Sequence, residues 1–181
     1  MKSLFACTGL LLVTATVFAQ QGGPPKSPSE TASATVGGRA ISIAYSSPRV
    51  NGREGKLFGK DGQIGKDPTY PVWRAGANNA TKLHVDGDVR IGDVAVPKGD
   101  YTLYVDVSDP DNWTLVVNKQ TGQWGTKYDK AQDLGRTPMT MSKPSSMLEN
   151  LTYTLVDNGG GKGSLTLAWE DKKGSVELSA K

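Results

Sequence analysis

Three arginines and one tryptophan in a single stretch of the chain offer side chains suited to ligand binding. Arg49, Arg53 and Arg74 lie in segment 47–80, and Trp73 directly precedes Arg74. A planar guanidinium group binds a carboxylate or phosphate through two hydrogen bonds and also stacks on aromatic rings. In one cleft these groups would suit an anionic or sugar-like ligand. We therefore take all four as candidate ligand-binding residues.

The same side chains also have a structural interpretation, which the sequence leaves open. A long irregular segment needs internal fastening. A buried Trp73, with Arg74 paired to a carboxylate such as Glu149 or Asp133, would supply it. Asn78, a further candidate, would satisfy backbone groups of the segment in the same way. Under this interpretation the residues form a latch that pins the segment to a sheet.

A second segment, 120–136, adds two aromatic candidates. It carries Trp124 and Tyr128 among Gly, Asp and Lys residues. These two side chains are interpreted either as a stacking platform for a ligand or as a lid over one end of the domain. A small-molecule or glycan ligand is expected between segments 47–80 and 120–136.

Catalytic patterns are mostly absent. The sequence contains no G-x-S-x-G, H-E-x-x-H, P-loop or G-x-G-x-x-G pattern. His84, the only histidine, alternates with apolar neighbours and is expected to face solvent. A hydrolase would need two carboxylates about 5–10 Å apart across a cleft. The acidic residues considered for such a pair are Glu54, Asp129, Asp133 and Glu149.

Composition argues against several other classes of protein. The chain of 181 residues has 21 Lys and Arg against 18 Asp and Glu, so its formal charge is only +3. Such a balance is not the signature of a nucleic-acid-binding surface. One His and one Cys give no zinc pattern. Asp109, Asp111 and Asn112 are interpreted as turn residues rather than calcium ligands. We predict no metal and no cofactor.

Most of the chain after residue 30 alternates apolar and polar residues with a period of two, which predicts β-strands. Residues 101–107 are a clear example. Turn-forming residues separate these runs, and Asp86-Gly87 predicts a hairpin between the strands on either side. The pattern predicts an all-β protein of one domain over residues 31–181. We expect an antiparallel β-sandwich, jelly-roll-like or a partly closed barrel, with long loops and little helix.

The N-terminus has the pattern of a secretory signal. Lys2 is followed by an uncharged apolar stretch that ends with small residues at Val17 and Ala19. The stretch is shorter than the roughly 20 residues of a membrane-spanning helix. We predict a signal peptide at 1–19, a disordered leader at 20–30, no transmembrane span and a periplasmic or extracellular location.

Five motifs along the chain form a recognisable set, which is centred on Trp73-Arg74-Ala75-Gly76-Ala77-Asn78. They occupy residues 47–53, 72–81, 97–103, 113–119 and 123–125. Together they resemble the bacterial exported family called domain of unknown function 2911, over about residues 31–156. The resemblance implies an exported, mostly β domain and supplies no catalytic residues. Asn79 stands where the resemblance leads us to expect an acidic residue.

Three functions are therefore open at the level of sequence. The leading hypothesis is an exported module that binds a carbohydrate or an anionic envelope component at the Arg- and Trp-containing segments. The second is a hydrolase that uses paired carboxylates. The third is a structural or assembly factor that binds another exported protein through a sheet edge.

Overall fold

The computed structural model describes residues 26–181 as two antiparallel β-sheets that pack face to face. This confirms the all-β sandwich, and the sheets are not closed into a barrel. The predicted signal peptide and residues 20–25 of the predicted leader lie outside the described residues. Within 26–181 no helix has the length and apolar character needed to cross a lipid bilayer.

Thirteen strands make up the two sheets. In chain order they are β1 (Ser29–Val36), β2 (Arg39–Ser46), β3 (Val72–Trp73), β4 (Thr81–Val85), β5 (Val89–Ile91), β6 (Val94–Val96), β7 (Gly99–Asp106), β8 (Thr114–Asn118), β9 (Asp133–Pro138), β10 (Thr140–Ser142), β11 (Leu148–Gly159), β12 (Lys162–Glu170) and β13 (Lys172–Ala180). Two short 3-10 turns, Ile64–Lys66 and Lys130–Gln132, are the helical elements of the described chain.

The first sheet has the strand order β1-β2-β4-β7-β8-β9, and β3 pairs with β7 beyond the end of β4. The second sheet has the order β11-β12-β13-β5-β6, with β10 paired to β13. Neighbouring edges of the two sheets approach each other, because β1 lies beside β11 and β6 lies beside β9. The order places the start of segment 47–80 at the end of β2, close to the first residues of β11.

The period-two pattern of the sequence produces the core between the sheets. In β4, Leu83 and Val85 are fully buried, whereas Lys82 and His84 are exposed. Successive side chains of a strand point to opposite faces, so each strand contributes one apolar face to the sandwich. Burying such a side chain stabilises the fold by about 1.5–3 kcal/mol. Packing in the core therefore holds in place the strands to which segments 47–80 and 120–136 are connected.

The hairpin predicted at Asp86-Gly87 is wrong. β4 pairs with β2 and β7 in the first sheet, whereas β5 pairs with β13 and β6 in the second. The chain crosses between the sheets here, and the Ala40 amide donates to the Asp86 carboxylate over 2.7 Å. A turn motif marks a change of direction, but the apolar faces of both sheets decide where the next strand pairs.

The predicted boundary of the leader is also wrong, because β1 already begins at Ser29. Ser29 and Glu30 pair with Ser46 and Tyr45 of β2. Neither residue has a large apolar side chain, so composition alone suggests disorder. The ladder hydrogen bonds supply the stabilisation that composition does not reveal.

Candidate functional site

Segment 47–80 is anchored in the core by several of its apolar side chains, while much of its length is exposed. Its apolar side chains Val50, Leu57 and Ile64 are buried together with Trp73. Trp73 stacks on Trp169 of β12 with ring centroids 5.9 Å apart and 16° between the planes. The segment is therefore held by apolar contacts to the second sheet and has a defined shape.

A cleft of about 660 Å³ lies along this segment at one end of the sandwich. Its lining is Lys26, Ser27, Pro48, Arg49, Asn51, Arg53, Gln63, Ile64, Asp67, Trp73, Arg74, Gly76, Ala77 and Trp169. Four of the seven sequence candidates, Arg49, Arg53, Trp73 and Arg74, thus meet at one concave surface. The described residues of segment 120–136 do not contribute to it, so the cleft lies within segment 47–80 rather than between the two segments.

Positive charge dominates the cleft. Lys26, Arg49, Arg53 and Arg74 line it, and Asp67 is the one acidic residue in its lining. The Asp67 carboxylate is already used, because the Arg74 Nη2 atom lies 3.1 Å from Asp67 Oδ2. The remaining charges are basic and lie at a concave surface, where their fields reinforce one another.

Arg74 is paired with a carboxylate, but not with one of those that the latch prediction named. Its guanidinium group contacts Asp67, rather than Glu149 or Asp133, and both side chains are mostly buried. Nη1 of Arg74 also donates to the Asn78 carbonyl over 3.3 Å. The pair closes a local loop of segment 47–80 instead of tying the segment to a distant carboxylate.

Arg53 and Arg49 differ in how far their guanidinium groups are already engaged. Nε of Arg53 donates to the Val50 carbonyl over 2.9 Å, and Nη2 donates to the Arg49 carbonyl over 2.6 Å. The backbone of Arg49 is held by a β-bridge to Asn150. Its guanidinium group makes no hydrogen bond or ion pair with any residue between 26 and 181, so all its donors are available at the cleft.

Trp73 cannot offer a ring face to a ligand in this arrangement. It is 2% exposed, and its stacking partner Trp169 is 3% exposed. Phe58 packs against Trp73 edge to face. Both indole rings line the cleft but are almost fully buried, so they add apolar surface to it without providing a stacking platform.

Asn78 lies outside the cleft lining and supports the backbone. Its left-handed φ of 60° turns the chain, a conformation that Asn tolerates better than most residues. Its carbonyl accepts hydrogen bonds from the Gly125 amide and from Arg74. Asn78 therefore joins the two irregular segments.

Segment 120–136 covers the outer face of the first sheet. Tyr128 packs on the buried Tyr104 of β7, and its hydroxyl donates to Asp133 over 2.8 Å while it accepts from Arg136 over 2.6 Å. Burial and the hydrogen bond to Asp133 raise the pKa of Tyr128 to about 12. This side chain fastens a cover over the sheet and does not line the cleft.

Trp124 is the most exposed of the four tryptophans, with 51% of its surface accessible. It forms an antiparallel β-bridge with Asn79, next to the hydrogen bond from the Ala80 amide to the Gln123 carbonyl. Like Tyr128, it lies away from the cleft. The seven candidates thus separate into a cleft group of four and an outer group of three.

The four carboxylates considered for a hydrolase do not meet at the cleft. Glu149 accepts from the Asn51 amide, Asp129 caps the turn at Ala131, and Asp133 belongs to the Tyr128 contacts. Glu54 is exposed. Among the residues that the structure describes, no group of three or more His, Cys, Asp or Glu side chains is arranged to hold a metal ion.

Two surface features match their sequence interpretation. Asp109 accepts from the Asp111 amide and from the Asn112 side chain, as a turn residue does. His84 is half-exposed on the outer face of the first sheet, where its Nδ1 atom lies 2.8 Å from an Asp100 oxygen. Neither feature faces the cleft.

Five polar or charged residues at the cleft were not among the sequence candidates: Lys26, Ser27, Asn51, Gln63 and Asp67. Lys26 belongs to the predicted leader, whose composition gave no reason to place it beside Arg49. Asp67 lies seven positions before Arg74, a spacing that no regular element marks. The Asp67–Arg74 pair could have been predicted only from the presence of opposite charges within one irregular segment, because such segments must satisfy their own polar groups.

Comparison with known proteins gives a family and no individual relative. The searches of curated proteins and of solved structures returned no match. The model of the family described as "Protein of unknown function (DUF2911)" matches residues 27–178. The match extends beyond residues 31–156, where the motifs pointed to the family, and reaches into β13. Because it covers most of the sequence, the chain belongs to the DUF2911 family.

Proposed function

We propose that this protein is an exported binding module whose ligand is an anion held in the cleft of segment 47–80. The observation that carries the proposal is the Arg49 guanidinium group, which is anchored through its backbone yet unpaired with any residue from 26 to 181. An unpaired guanidinium group at a concave surface is suited to bidentate binding of a carboxylate or phosphate.

The rest of the cleft supports an anion over a neutral sugar. Four basic side chains face one carboxylate there, and that carboxylate is paired with Arg74. The buried Trp73 leaves no ring face on which a neutral sugar could stack. A volume of about 660 Å³ lies within the range of small-molecule sites. Asn51, Gln63 and Ser27 add polar groups that can orient the ligand.

The test is calorimetric titration of the purified protein with phosphate, sulfate and glucuronate at constant ionic strength. At least one of these anions is expected to bind, and Arg49→Ala is expected to weaken that binding about tenfold or more. Arg90→Ala is the matched control, because Arg90 is an exposed arginine in β5 of the other sheet. It removes the same charge away from the cleft.

Two results would contradict the proposal. One is the absence of binding for all three anions. The other is an equal loss of affinity in Arg49→Ala and Arg90→Ala, which would mean that net charge, and not the cleft, attracts the anion. Binding in the cleft should also weaken with added salt, because screening shortens the reach of exposed charges.

The export part of the proposal rests on the N-terminal pattern of Lys2, an apolar stretch and Ala19. Expression of the full chain in a bacterial host is expected to yield a product that begins at Gln20 and leaves the cytoplasm. Mass spectrometry of cell fractions measures this. A product that keeps residues 1–19 inside the cytoplasm would contradict it.

A further inference from the structure

A second, smaller groove lies where the two irregular segments meet on the outer face of the first sheet. It has a volume of about 310 Å³. The lining consists of Ser29, Glu30, Thr31, Ala44, Tyr45, Ser46, Asn79, Ala80, Lys82, Gly122 and Gln123. It shares no lining residue with the anion cleft. From its composition and its position beside Trp124, we infer that this groove binds a neutral sugar unit of a glycan.

Trp124 is not itself a lining residue of this groove, but it follows Gly122 and Gln123 in the chain and bridges to Asn79, all three of which line the groove. Trp124 and Asn79 are direct partners in an antiparallel β-bridge, and directly opposite residues of such a pair place their side chains on the same face. Asn79 lines the groove, so Trp124 projects on the groove side of this ladder. With 51% of its surface exposed, it has an accessible ring face, which the buried Trp73 lacks.

Several of the residues that line the groove are small. Thr31 of β1, Ala44 of β2 and Ala80 lie there beside Gly122. Small side chains leave a depression in an otherwise regular sheet face. Hydroxyl groups of Ser29, Thr31 and Ser46 and the amide of Asn79 surround it, and each can exchange hydrogen bonds with sugar hydroxyls.

The charges of the groove are balanced, in contrast to the basic cleft. Glu30 is the acidic residue of the lining and Lys82 is the basic one. The Glu30 carboxylate accepts from the Tyr45 hydroxyl over 3.1 Å, and the Lys82 ammonium lies 3.4 Å from Asp100. Because the charges of Glu30 and Lys82 cancel and each already has a neighbouring partner, the groove has no net attraction for an anion. Polar groups beside an exposed aromatic ring suit a ligand with one apolar and one hydroxylated face, which is the character of a pyranose.

The four tryptophans give this inference a selective test. Trp73, Trp113 and Trp169 are buried, so acrylamide quenching of the indole emission reports mainly on Trp124. The probes are cellotriose, maltotriose and the trimer of N-acetylglucosamine at millimolar concentration. At least one is expected to protect the emission from acrylamide. Asn79→Ala keeps the fluorophore and should weaken this protection about tenfold.

Calorimetry with the same trisaccharide separates ring stacking from other effects. Trp124→Ala is expected to lose about tenfold in affinity, whereas Trp124→Phe, which keeps an aromatic face, should stay within about threefold of the wild type. Arg49→Ala should bind the trisaccharide unchanged, because Arg49 lies in the other cleft. Unchanged trisaccharide binding in Arg49→Ala would show that the groove and the anion cleft act independently. The glycan inference can then fail without the anion proposal failing, and the reverse.

The inference is overturned if none of the three trisaccharides protects Trp124, or if Trp124→Ala binds as tightly as Trp124→Phe. The first result would leave the exposed indole to another kind of partner, such as a peptide segment. The half-exposed position of Trp124 means that its variants should unfold at the wild-type temperature. A loss of binding in a fully folded Trp124→Ala therefore reports on the groove.

Discussion

Segments 47–80 and 120–136 are both long and irregular, yet different forces hold them. The first buries Val50, Leu57 and Trp73 in the main core. Its shape depends on apolar area removed from water, which changes little with pH or salt. Its cleft is a fixed gap in a packed structure, and Arg49 lies at its wall, where its guanidinium group has no partner among residues 26–181.

The second segment is held chiefly by polar contacts on the outside of a sheet. Tyr128 bonds to Asp133, and Arg136 bonds to Tyr128, Asp133 and Asp106. Beneath them, Val116 and Tyr104 form a small apolar cluster with Val72 that is separate from the main core. Such a region depends on every partner being present, because an unpaired buried polar group costs about 1–3 kcal/mol.

A large side chain therefore has a different role in each segment. In the first segment Trp73 is buried, and Arg49 lines the cleft without a side-chain partner among residues 26–181. In the second, Arg136 is bound by Asp133, Asp106 and Tyr128, and Trp124 is exposed. Chemistry that uses charge is therefore expected at the first segment, and chemistry that uses a ring face at the second.

The largest expected effect is that of Trp73→Ala. Removal of this buried ring leaves a cavity beside Trp169 and Phe58, and the free energy of unfolding should fall by about 3–5 kcal/mol. Trp124→Ala is the matched control, with an expected change within about 0.5 kcal/mol. Urea unfolding measures both. Equal losses in the two variants would mean that the segments do not differ as described.

The second largest effect is expected from breaking the polar network that Arg136 forms with Tyr128, Asp133 and Asp106. Arg136→Met leaves the carboxylates of Asp133 and Asp106 without their cation, and the expected loss is about 1.5–3 kcal/mol. Arg90→Met is the control, because Arg90 is exposed and, within residues 26–181, its guanidinium group hydrogen-bonds only to the Asp93 carbonyl. Near-ultraviolet dichroism should change along with the loss, since Tyr128 and Tyr104 pack against each other. A loss below about 0.5 kcal/mol would show that apolar contacts suffice to hold the cover.

The junction of the two segments should be sensitive to a single methyl group. A Cβ atom on Gly125 would lie 2.8 Å from the Asn78 carbonyl oxygen and would also press on the Arg74 side chain. Gly125→Ala is therefore expected to cost about 1–3 kcal/mol. Thr126→Ser, which removes one methyl group at the adjacent, half-buried position, should be nearly neutral. Thermal unfolding of both variants checks the junction, and a neutral Gly125→Ala would show that the segments move independently.

The buried faces of most strands, and the division of the chain into strands, could be predicted from the sequence. The alternation around Leu83 and Val85 is a local property, so it can be read without knowing the partners of the strand. The crossing at Asp86 is not local, because two sheets compete for the strand that follows. The boundary at Ser29 escapes sequence reasoning for a similar reason, since its stabilisation comes from pairing with β2.

The site was predicted by residue type more successfully than by position. The chemistry of the guanidinium group points to the arginines, and three of them meet at the cleft. The partner of Arg74 could not be derived, because Asp67 reaches it through an irregular turn. Alternation predicts Tyr104 on the polar face of β7, yet it is fully buried there. Segment 120–136 folds back over the outer face of the first sheet, so that this face also has a small apolar core. Alternation of apolar and polar residues predicts only one buried face per strand and cannot show this.

The smallest expected effect is a dependence of stability on alkaline pH that belongs to the outer segment. The folded protein keeps Tyr128 protonated up to a pKa of about 12, compared with an ordinary value of 10.0. Above the lower of these values the unfolded chain releases a proton that the folded chain retains. The stabilisation by Tyr128 is therefore complete below pH 10 and is lost as the pH rises towards about 12.

Other tyrosines share this behaviour, so the test must compare two proteins. Burial also raises the pKa of Tyr45, Tyr104 and Tyr153. Tyr128→Phe is expected to be less stable than the wild type at neutral pH, because Asp133 and Arg136 each lose a hydrogen bond. That difference should shrink as the pH is raised through the stated range, as measured by urea unfolding at each pH. If Tyr128→Phe is as stable as the wild type at every pH, Tyr128 contributes through its ring against Tyr104, which the variant keeps, and not through its hydroxyl, which would make the outer segment an apolar structure like the first. A difference that is present but does not change with pH would contradict the stated pH dependence.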